Sequence, residues 1–408
     1  MPRVVHLQTH LPSSGNAAYR LHEAFLQSGI ESTMVSLSSD KERSEQISFL
    51  GAKARIVSII NEKVQDYITG KTVREFGAFS YPVLGTDISD NEQIKNADII
   101  YLHWVIGGFL NLKNIEQLVK LNKPVIFFMH DMWTITGGCH HSFTCEKYKL
   151  ECNNCQVFPQ VSNNDLSSKQ FNKKSKLYSK YKNLYFVSPS KWLYNCAQQS
   201  ALTKSKPIFH IPNVIDKTLF KAVDKSVAKQ LLNIDTSETV ITFGAVSVTS
   251  PYKGWEYLKK ALDILHQSNT TKKITALLFG SMYDKQLAES IPFPTRFIGR
   301  LRDDYSTALV YNASDVFVAP SIADNLPTTV MESLCCGTPV VGFDIGGIPD
   351  MIIHKKNGYL AKYKDATDLA EGINYCIENS MKGYLSGDFD TSEIIHKHLE
   401  LFNYIRKN

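Results

Sequence analysis

The stretch "DNLPTTVMESLCCGTPVVGFDIGGIPDMI", residues 324–352, decides how the whole chain is read. It sets two acids, Asp324 and Glu332, on either side of a short polar turn. Pro327 suits the first turn of a helix, so "PTTVMESLCC" is expected to be helical and to end at Gly337, with Thr328 and Glu332 one turn apart on one face. The following "TPVVGFD" reads as a buried strand. Free N–H groups at the helix start, with the helix dipole behind them, favour a phosphate. An acid before that phosphate and another a turn behind it can accept hydrogen bonds from two separate sets of hydroxyls, which is the layout of a hexose, a diphosphate and a ribose. On its own the pair reads more readily as an N-terminal acid and an incidental helix glutamate, so the surroundings decide.

At 408 residues the chain is long enough for two domains with separate cores. A hydrophobic fraction of 43% with 21% charged residues is that of a soluble globular protein. No apolar run reaches the roughly 18 residues of a spanning helix. The start "MPRVVHLQTHLPSSG" turns polar too soon for a signal peptide, so a cytoplasmic location is expected. The net charge of +5 is unevenly spread: residues 1–215 carry 24 Lys/Arg against 17 Asp/Glu, and residues 216–408 carry 21 against 23. Residues 166–215 hold no acid but include Lys169, Lys173, Lys174, Lys176, Lys180, Lys182, Lys191, Lys204 and Lys206. That run reads either as a solvated helix face or as a surface for anionic lipid or a phosphorylated substrate. Nothing resembles a stacking platform or recognition helix, so nucleic acid is not an expected partner.

Periodicity predicts two doubly wound α/β domains. "RVVHLQ" is a strand, "THLPSSGN" a loop, and "AAYRLHEAFLQSG" a helix ending at Gly29. "ADIIYLHW", "KPVIFFMH" and "NLYFVSPS" continue a parallel sheet whose carboxyl edge is where ligands bind. "TVITFGAVS", "ITALLFGS", "TRFIGR", "ASDVFVAPS" and "TPVVGFD" restart the rhythm after a join near "IFHIPNVIDKTLF". The expected domains are 1–213, 214–385 and a closing helix, 386–408, that packs back toward the first; Asp390 and Glu393 are read as its capping box.

The run "DVFVAPSIADNLPTTVMESLCCGTPVVGFDIGGIPDMI" resembles the retaining glycosyltransferases of family 4, which have the GT-B fold of two Rossmann-like domains facing across a cleft. The resemblance implies that Glu332 grips the ribose hydroxyls and that Asp324, one methylene shorter than the glutamate usual there, faces the hexose. "PYKGWEYLKKAL" resembles the Lys-Gly motif whose lysine neutralises the donor diphosphate, which assigns Lys253 that task without a metal. Many relatives carry an arginine where this chain has Ser247, and Arg300 or Arg302 is a candidate second cation. Thr328 and Thr329 at the helix start join the donor-binding set. "SSGNAAYRL" stands where relatives approach the diphosphate, with Gly15 allowing close backbone contact and Asn16 able to donate a hydrogen bond. "FFMHDMW" implies a role for His130 beside the donor hexose. "YLHWVIGGFL" is similar to the subgroup acting in bacterial exopolysaccharide, capsule or O-antigen assembly, which makes His103 and Trp104 acceptor-side candidates. The expected partners are a nucleotide sugar and a glycan or polyprenyl-diphosphate-linked acceptor, with an anionic membrane surface nearby. A sugar-nucleotide epimerase of the same fold and a donor-binding subunit without activity are the alternatives.

Four of the eight cysteines, Cys139, Cys145, Cys152 and Cys155, crowd into "CHHSFTCEKYKLECNNC". Without a secretory signal a four-cysteine structural zinc and reduced thiols are the leading readings, and disulfides the third. No cofactor is expected to be required for catalysis.

Overall fold

The structure is a computed structural model that describes residues 1–12, 16–70, 72, 77–160, 162–244, 250–268, 272–280 and 283–408. It divides into two compact units, one made of residues Met1–Val214 with Asp390–Asn408, the other of Ile215–Phe389.

In the first unit β1 (Val4–Leu11), α1 (Ala17–Gln27), β2 (Ser32–Ser39), β3 (Ile47–Phe49), α2 (Ala52–Thr69), α3 (Glu92–Asn96), β4 (Ile99–Leu102), α4 (Leu112–Val119), β5 (Val125–Phe128), α5 (Leu166–Lys180), β6 (Leu184–Ser188), α6 (Lys191–Gln199) and β7 (Ile208–His210) follow one another. The strands form one seven-stranded sheet in the order β3-β2-β1-β4-β5-β6-β7, with every pairing parallel. A sheet covered by helices on both faces needs strands without a wet side. "IIYL", "VIFF" and "LYFVS" are accordingly buried at every position.

The second unit runs α7 (Lys225–Leu231), β8 (Thr239–Gly244), α8 (Trp255–Gln267), β9 (Ile274–Phe279), α9 (Lys285–Glu289), β10 (Thr295–Gly299), α10 (Asp304–Asn312), β11 (Val316–Ala319), α11 (Thr328–Cys335), β12 (Val340–Phe343), β13 (Gly358–Ala361) and α12 (Ala366–Glu378). Its parallel sheet has the order β10-β9-β8-β11-β12-β13. The strand order reverses between β1 and β4 in the first sheet and between β8 and β11 in the second. Such switch points open a crevice at the carboxyl ends of the strands.

The last helix, α13 (Thr391–Lys407), belongs to the first unit. Its Ile394, Leu401 and Phe402 are buried with Phe25 and Tyr101, and the Tyr101 hydroxyl lies 2.8 Å from His398 Nδ1. Asp390 is its N-cap residue, but its carboxylate does not cap the first turn, so the expected capping box is not formed. No described helix is long and apolar enough to cross a membrane.

Candidate functional site

The second switch point carries most of the residues singled out from the sequence. Lys253 ends a short 3-10 turn, Pro251–Lys253, in the connection after β8, and Asp324 lies in the loop after β11. The Lys253 ammonium donates to Asp324 Oδ2 at 2.8 Å. Both are mostly shielded, with side-chain exposures of 29% and 17%. Burial alone pulls the lysine pKa down, but the adjacent carboxylate outweighs it and holds the ammonium charged, above its ordinary value.

The backbone brings the two loops together. Ile322 N–H donates to the Tyr252 carbonyl at 2.8 Å, and the Tyr363 hydroxyl donates to Ile322 O at 3.2 Å. Gly254 adopts φ +68, and a Cβ there would stand 1.9 Å from the Pro320 carbonyl oxygen. Gly346, the first of the glycine pair after β12, has φ +60, and a Cβ there would stand 1.9 Å from the Asp324 carbonyl oxygen. Only glycine fits either place, in space and in backbone angle. The glycines quoted from the sequence therefore serve to let three loops close around Asp324.

Glu332 projects from α11 and is 3% exposed. Its Oε2 accepts from the Tyr311 hydroxyl of α10 at 3.1 Å. Tyr311 went unnoticed in the sequence because nothing in "ALVYNASD" separates a core tyrosine from one that orients an acid. Thr328 and Thr329 form the half-buried first turn of α11 behind Pro327. Arg300 and Arg302 are exposed and follow β10, the edge strand two places from β8. Ser247 and Gly15 lie outside the described residues.

The first unit has its own cluster at its switch point. Asn16 is the N-cap of α1, and its Oδ1 accepts from Tyr19 N–H at 2.9 Å. His130 stands two residues past β5. Its Nε2 is 2.9 Å from His103 Nδ1, and His103 Nε2 is 2.9 Å from His6 Nδ1. His103 was expected to face an acceptor, but it is 7% exposed and both its ring nitrogens are engaged inside the unit. Trp104, next to it, is 36% exposed. Beside them, Asp131 Oδ2 meets His140 Nδ1 at 2.6 Å, Asp131 Oδ1 accepts from Trp133 N–H at 2.7 Å, and His140 Nε2 lies 2.8 Å from Ser80 Oγ.

All four clustered cysteines line one cavity of about 290 Å³. None of the eight cysteines is in a disulfide, which corrects the third reading of that segment. Cys152 Sγ accepts from Gly137 N–H at 3.2 Å. The Cys139 and Cys155 thiols are hydrogen-bonded, and that bond lowers Cys155 to about 7 while raising Cys139. Among the described residues no three His, Cys, Asp or Glu side chains converge as a formed metal site. The lysine-rich segment is not uniform either. Lys174 is fully buried, donating to the Trp133 and Thr136 carbonyls with its ammonium 3.7 Å from the Trp133 ring centroid. Lys180 is exposed and pairs with Glu116 at 2.9 Å, and Lys169, Lys173 and Lys176 are exposed as well.

Residues 237–379 match the family model described as glycosyl transferases group 1. The chain is 27% identical over 133 residues to an uncharacterized glycosyltransferase of Haemophilus influenzae, a match covering 31% of this chain and 37% of that relative. It is 21% identical over 316 residues to the N-acetyl-alpha-D-glucosaminyl L-malate synthase of Bacillus anthracis, covering 75% and 73%. In structure it is similar to Anabaena HepE, solved in complex with UDP-glucose, with a TM-score of 0.63 at 16% identity over 99% of this chain and 100% of that one. The architecture is the two-domain Rossmann-like α/β fold of the GT-B glycosyltransferases.

Proposed function

We propose that this chain, whose second unit carries the group 1 glycosyltransferase match, transfers a hexose-type sugar from a nucleoside diphosphate sugar to a glycan or lipid-linked glycan with retention of configuration. The observation that carries the reading is the Lys253–Asp324 pair at the second switch point, with Glu332 buried one helix turn behind the start of α11. Lys253 neutralises the donor diphosphate, Asp324 meets the hexose, and Glu332, held by Tyr311, accepts from the ribose hydroxyls. As the anomeric C–O bond to the diphosphate breaks, negative charge grows on the leaving oxygen, and the fixed ammonium stabilises it with little reorganisation. The acceptor oxygen attacks from the side the diphosphate leaves, and a phosphate oxygen takes the acceptor proton. Retention follows from that shared face and needs no protein nucleophile.

Exposed Lys169, Lys173 and Lys176 support a lipid-linked acceptor in bacterial surface polysaccharide synthesis, because each lysine near an anionic membrane adds about 1 kcal/mol of attraction. For the cysteine segment we propose a structural zinc. Four thiols line one cavity, and Cys152 Sγ already accepts an N–H bond as a zinc thiolate would, although among the described residues no three ligands converge on one point.

The test of the activity is a panel of nucleoside diphosphate sugars offered with and without glycan acceptors. Release of nucleoside diphosphate that depends on acceptor is expected. Conversion of the sugar with no acceptor present would instead identify an epimerase, and donor binding without turnover an inactive subunit.

A further inference from the structure

Helix α2 of the first unit turns its apolar side outward. At about 100° per residue, Ile56, Ile60, Val64 and Tyr67 fall on one side, flanked by Ile59 and Ile68, while Ala54, Ser58, Asn61 and Gln65 fall on the other. The small and polar side is the one that meets the protein. Ser58 Oγ donates to the Gly107 carbonyl at 2.7 Å, Asn61 Oδ1 accepts from the N–H groups of Val83 and Leu84 at 3.0 and 2.9 Å, and Gln65 Oε1 accepts from Tyr81 N–H at 2.9 Å. Gly108, with φ +83, lies so close that a Cβ there would stand 2.5 Å from Ser58 Cα. On the outward side Ile56 and Ile59 are each 55% exposed, Ile60 45% and Tyr67 89%. Among the described elements none exposes more large apolar side chains.

A surface helix of a soluble domain ordinarily buries its apolar stripe. Because α2 is held by hydrogen bonds, Ile56, Ile59 and Ile60 are left to pack against something outside the chain. The charged residues on that outward side are Lys53 and Lys63, whereas Arg55, Glu62 and Asp66 share one flank. Tyr81, held by Gln65, also accepts from the Lys173 ammonium at 3.1 Å through its hydroxyl. One residue thus joins α2 to α5, whose Lys169, Lys173 and Lys176 are exposed and belong to the acid-free segment 166–215. An apolar stripe beside an excess of positive charge is the complement of an anionic bilayer. A second copy fits less well. The 18 residues of α2 span about 27 Å, and two such stripes about 10 Å wide would bury about 600 Å², half of the roughly 1,200 Å² of a stable dimer.

We propose that the outward face of α2 is a membrane-docking surface that lies in the interface of an anionic bilayer. Ile56, Ile59, Ile60 and Tyr67 enter the boundary between headgroups and acyl chains, and Lys53 and Lys63 reach back to the headgroups along their own alkyl stems. The α5 lysines meet the same surface electrostatically. The choice of a bilayer deepens, and rests on, the lipid-linked-acceptor reading; the apolar face itself does not depend on it.

The test is co-sedimentation of the full chain with vesicles of equal parts phosphatidylglycerol and phosphatidylethanolamine, and with vesicles of phosphatidylcholine. The parent is expected to bind the anionic vesicles, and much more weakly the neutral ones, with amide hydrogen exchange slowed in residues 52–69 on binding. Ile56→Gln with Ile60→Gln is expected to bind the anionic vesicles at least about tenfold more weakly, since two apolar side chains no longer leave water. Ile56→Leu with Ile60→Leu is expected to bind as the parent does. Transfer to a soluble acceptor is expected to be unchanged in both double variants. Failure of the parent to bind anionic vesicles would overturn the proposal, and so would parental binding by the folded Gln variant, which would leave the α5 lysines alone responsible. A parent that is dimeric without vesicles and a Gln variant that is monomeric would assign the face to a second copy instead. A chain that binds vesicles through α2 and transfers no sugar would refute the functional reading and leave the docking surface standing.

Discussion

Lys253 Nζ and Asp324 Oδ2 lie 2.8 Å apart across the β8/β11 switch point, so the cation proposed for the diphosphate and the acid proposed for the hexose hold one another. The carboxylate holds the ammonium charged and in place. In the proposed reaction Asp324 has a second task, to meet the sugar once the diphosphate takes over the lysine.

Replacing Asp324 with Asn separates those tasks. The amide can still receive the lysine but loses its charge, so turnover is expected to fall by about tenfold to a hundredfold, the range for a lost hydrogen bond to a charged group. Nucleoside diphosphate affinity, measured by calorimetry, is expected to stay within about threefold, since the phosphate gains an ammonium with no competing carboxylate. Parental turnover in this variant would remove Asp324 from the site.

Gly346→Ala and Gly254→Ala are each expected to lower stability by about 1–3 kcal/mol and to depress transfer, because the added methyl meets a carbonyl oxygen at 1.9 Å and the backbone is left-handed. Gly51→Ala is the control: its φ is −83 and nothing lies within 4 Å of the new carbon. Thermal unfolding of the three variants separates the cases, and equal melting temperatures would contradict the close loop packing around Asp324.

The strands of both sheets were legible where they are uniformly apolar, as in "IIYL" and "ITALLF". They were not where burial is achieved with small polar residues or very short runs. β2 reads "STMVSLSS" yet is mostly buried, and β3, β7 and β13 have three or four residues. Lys253, Asp324 and Glu332 stand out in the sequence because each lies in a motif of fixed spacing. Tyr311, the Lys253–Asp324 contact and the His6–His103–His130 contacts do not, since they join residues 21, 71 and up to 97 positions apart with no local pattern. Lys174 shows the opposite limit: both sequence readings of the lysine run, a solvated helix face or a surface for anionic ligands, leave it exposed, and the fold buries it completely.

Acid lability follows from the buried histidines. His22 and His130 are lowered to about 4 and His398 to about 3, each chiefly by burial, against an ordinary value of 6.5. In the unfolded chain these rings take up protons as pH falls through 6.5, while in the folded chain they do not. The unfolded state therefore binds more protons across that window, and stability falls as pH drops from about 6.5 toward 4. Each such histidine contributes up to about 1.4 kcal/mol per pH unit. Melting temperature is expected to fall steeply between pH 7 and pH 5, and a flat profile would mean these rings are solvated.

Elemental analysis of protein purified without chelator is expected to give about one zinc per chain. Changing Cys152 and Cys155 to Ser together is expected to abolish it. Metal-free protein with four titratable thiols in residues 139–155 would refute the zinc site. Transfer itself is expected to survive removal of magnesium and manganese, because the proposed partner of the diphosphate charge is Lys253 and not a metal.

In the proposed reaction Lys253 stabilises a departing diphosphate while Glu332 holds the nucleoside. The most direct measurement compares Lys253→Ala and Glu332→Gln with the parent, using acceptor-dependent release of nucleoside diphosphate together with its binding affinity. Lys253→Ala is expected to lose at least about a hundredfold in transfer rate. Glu332→Gln is expected to lose a comparable amount, mainly as weaker nucleotide binding. Parental turnover and affinity in both folded variants would remove Lys253 and Glu332 from the donor site.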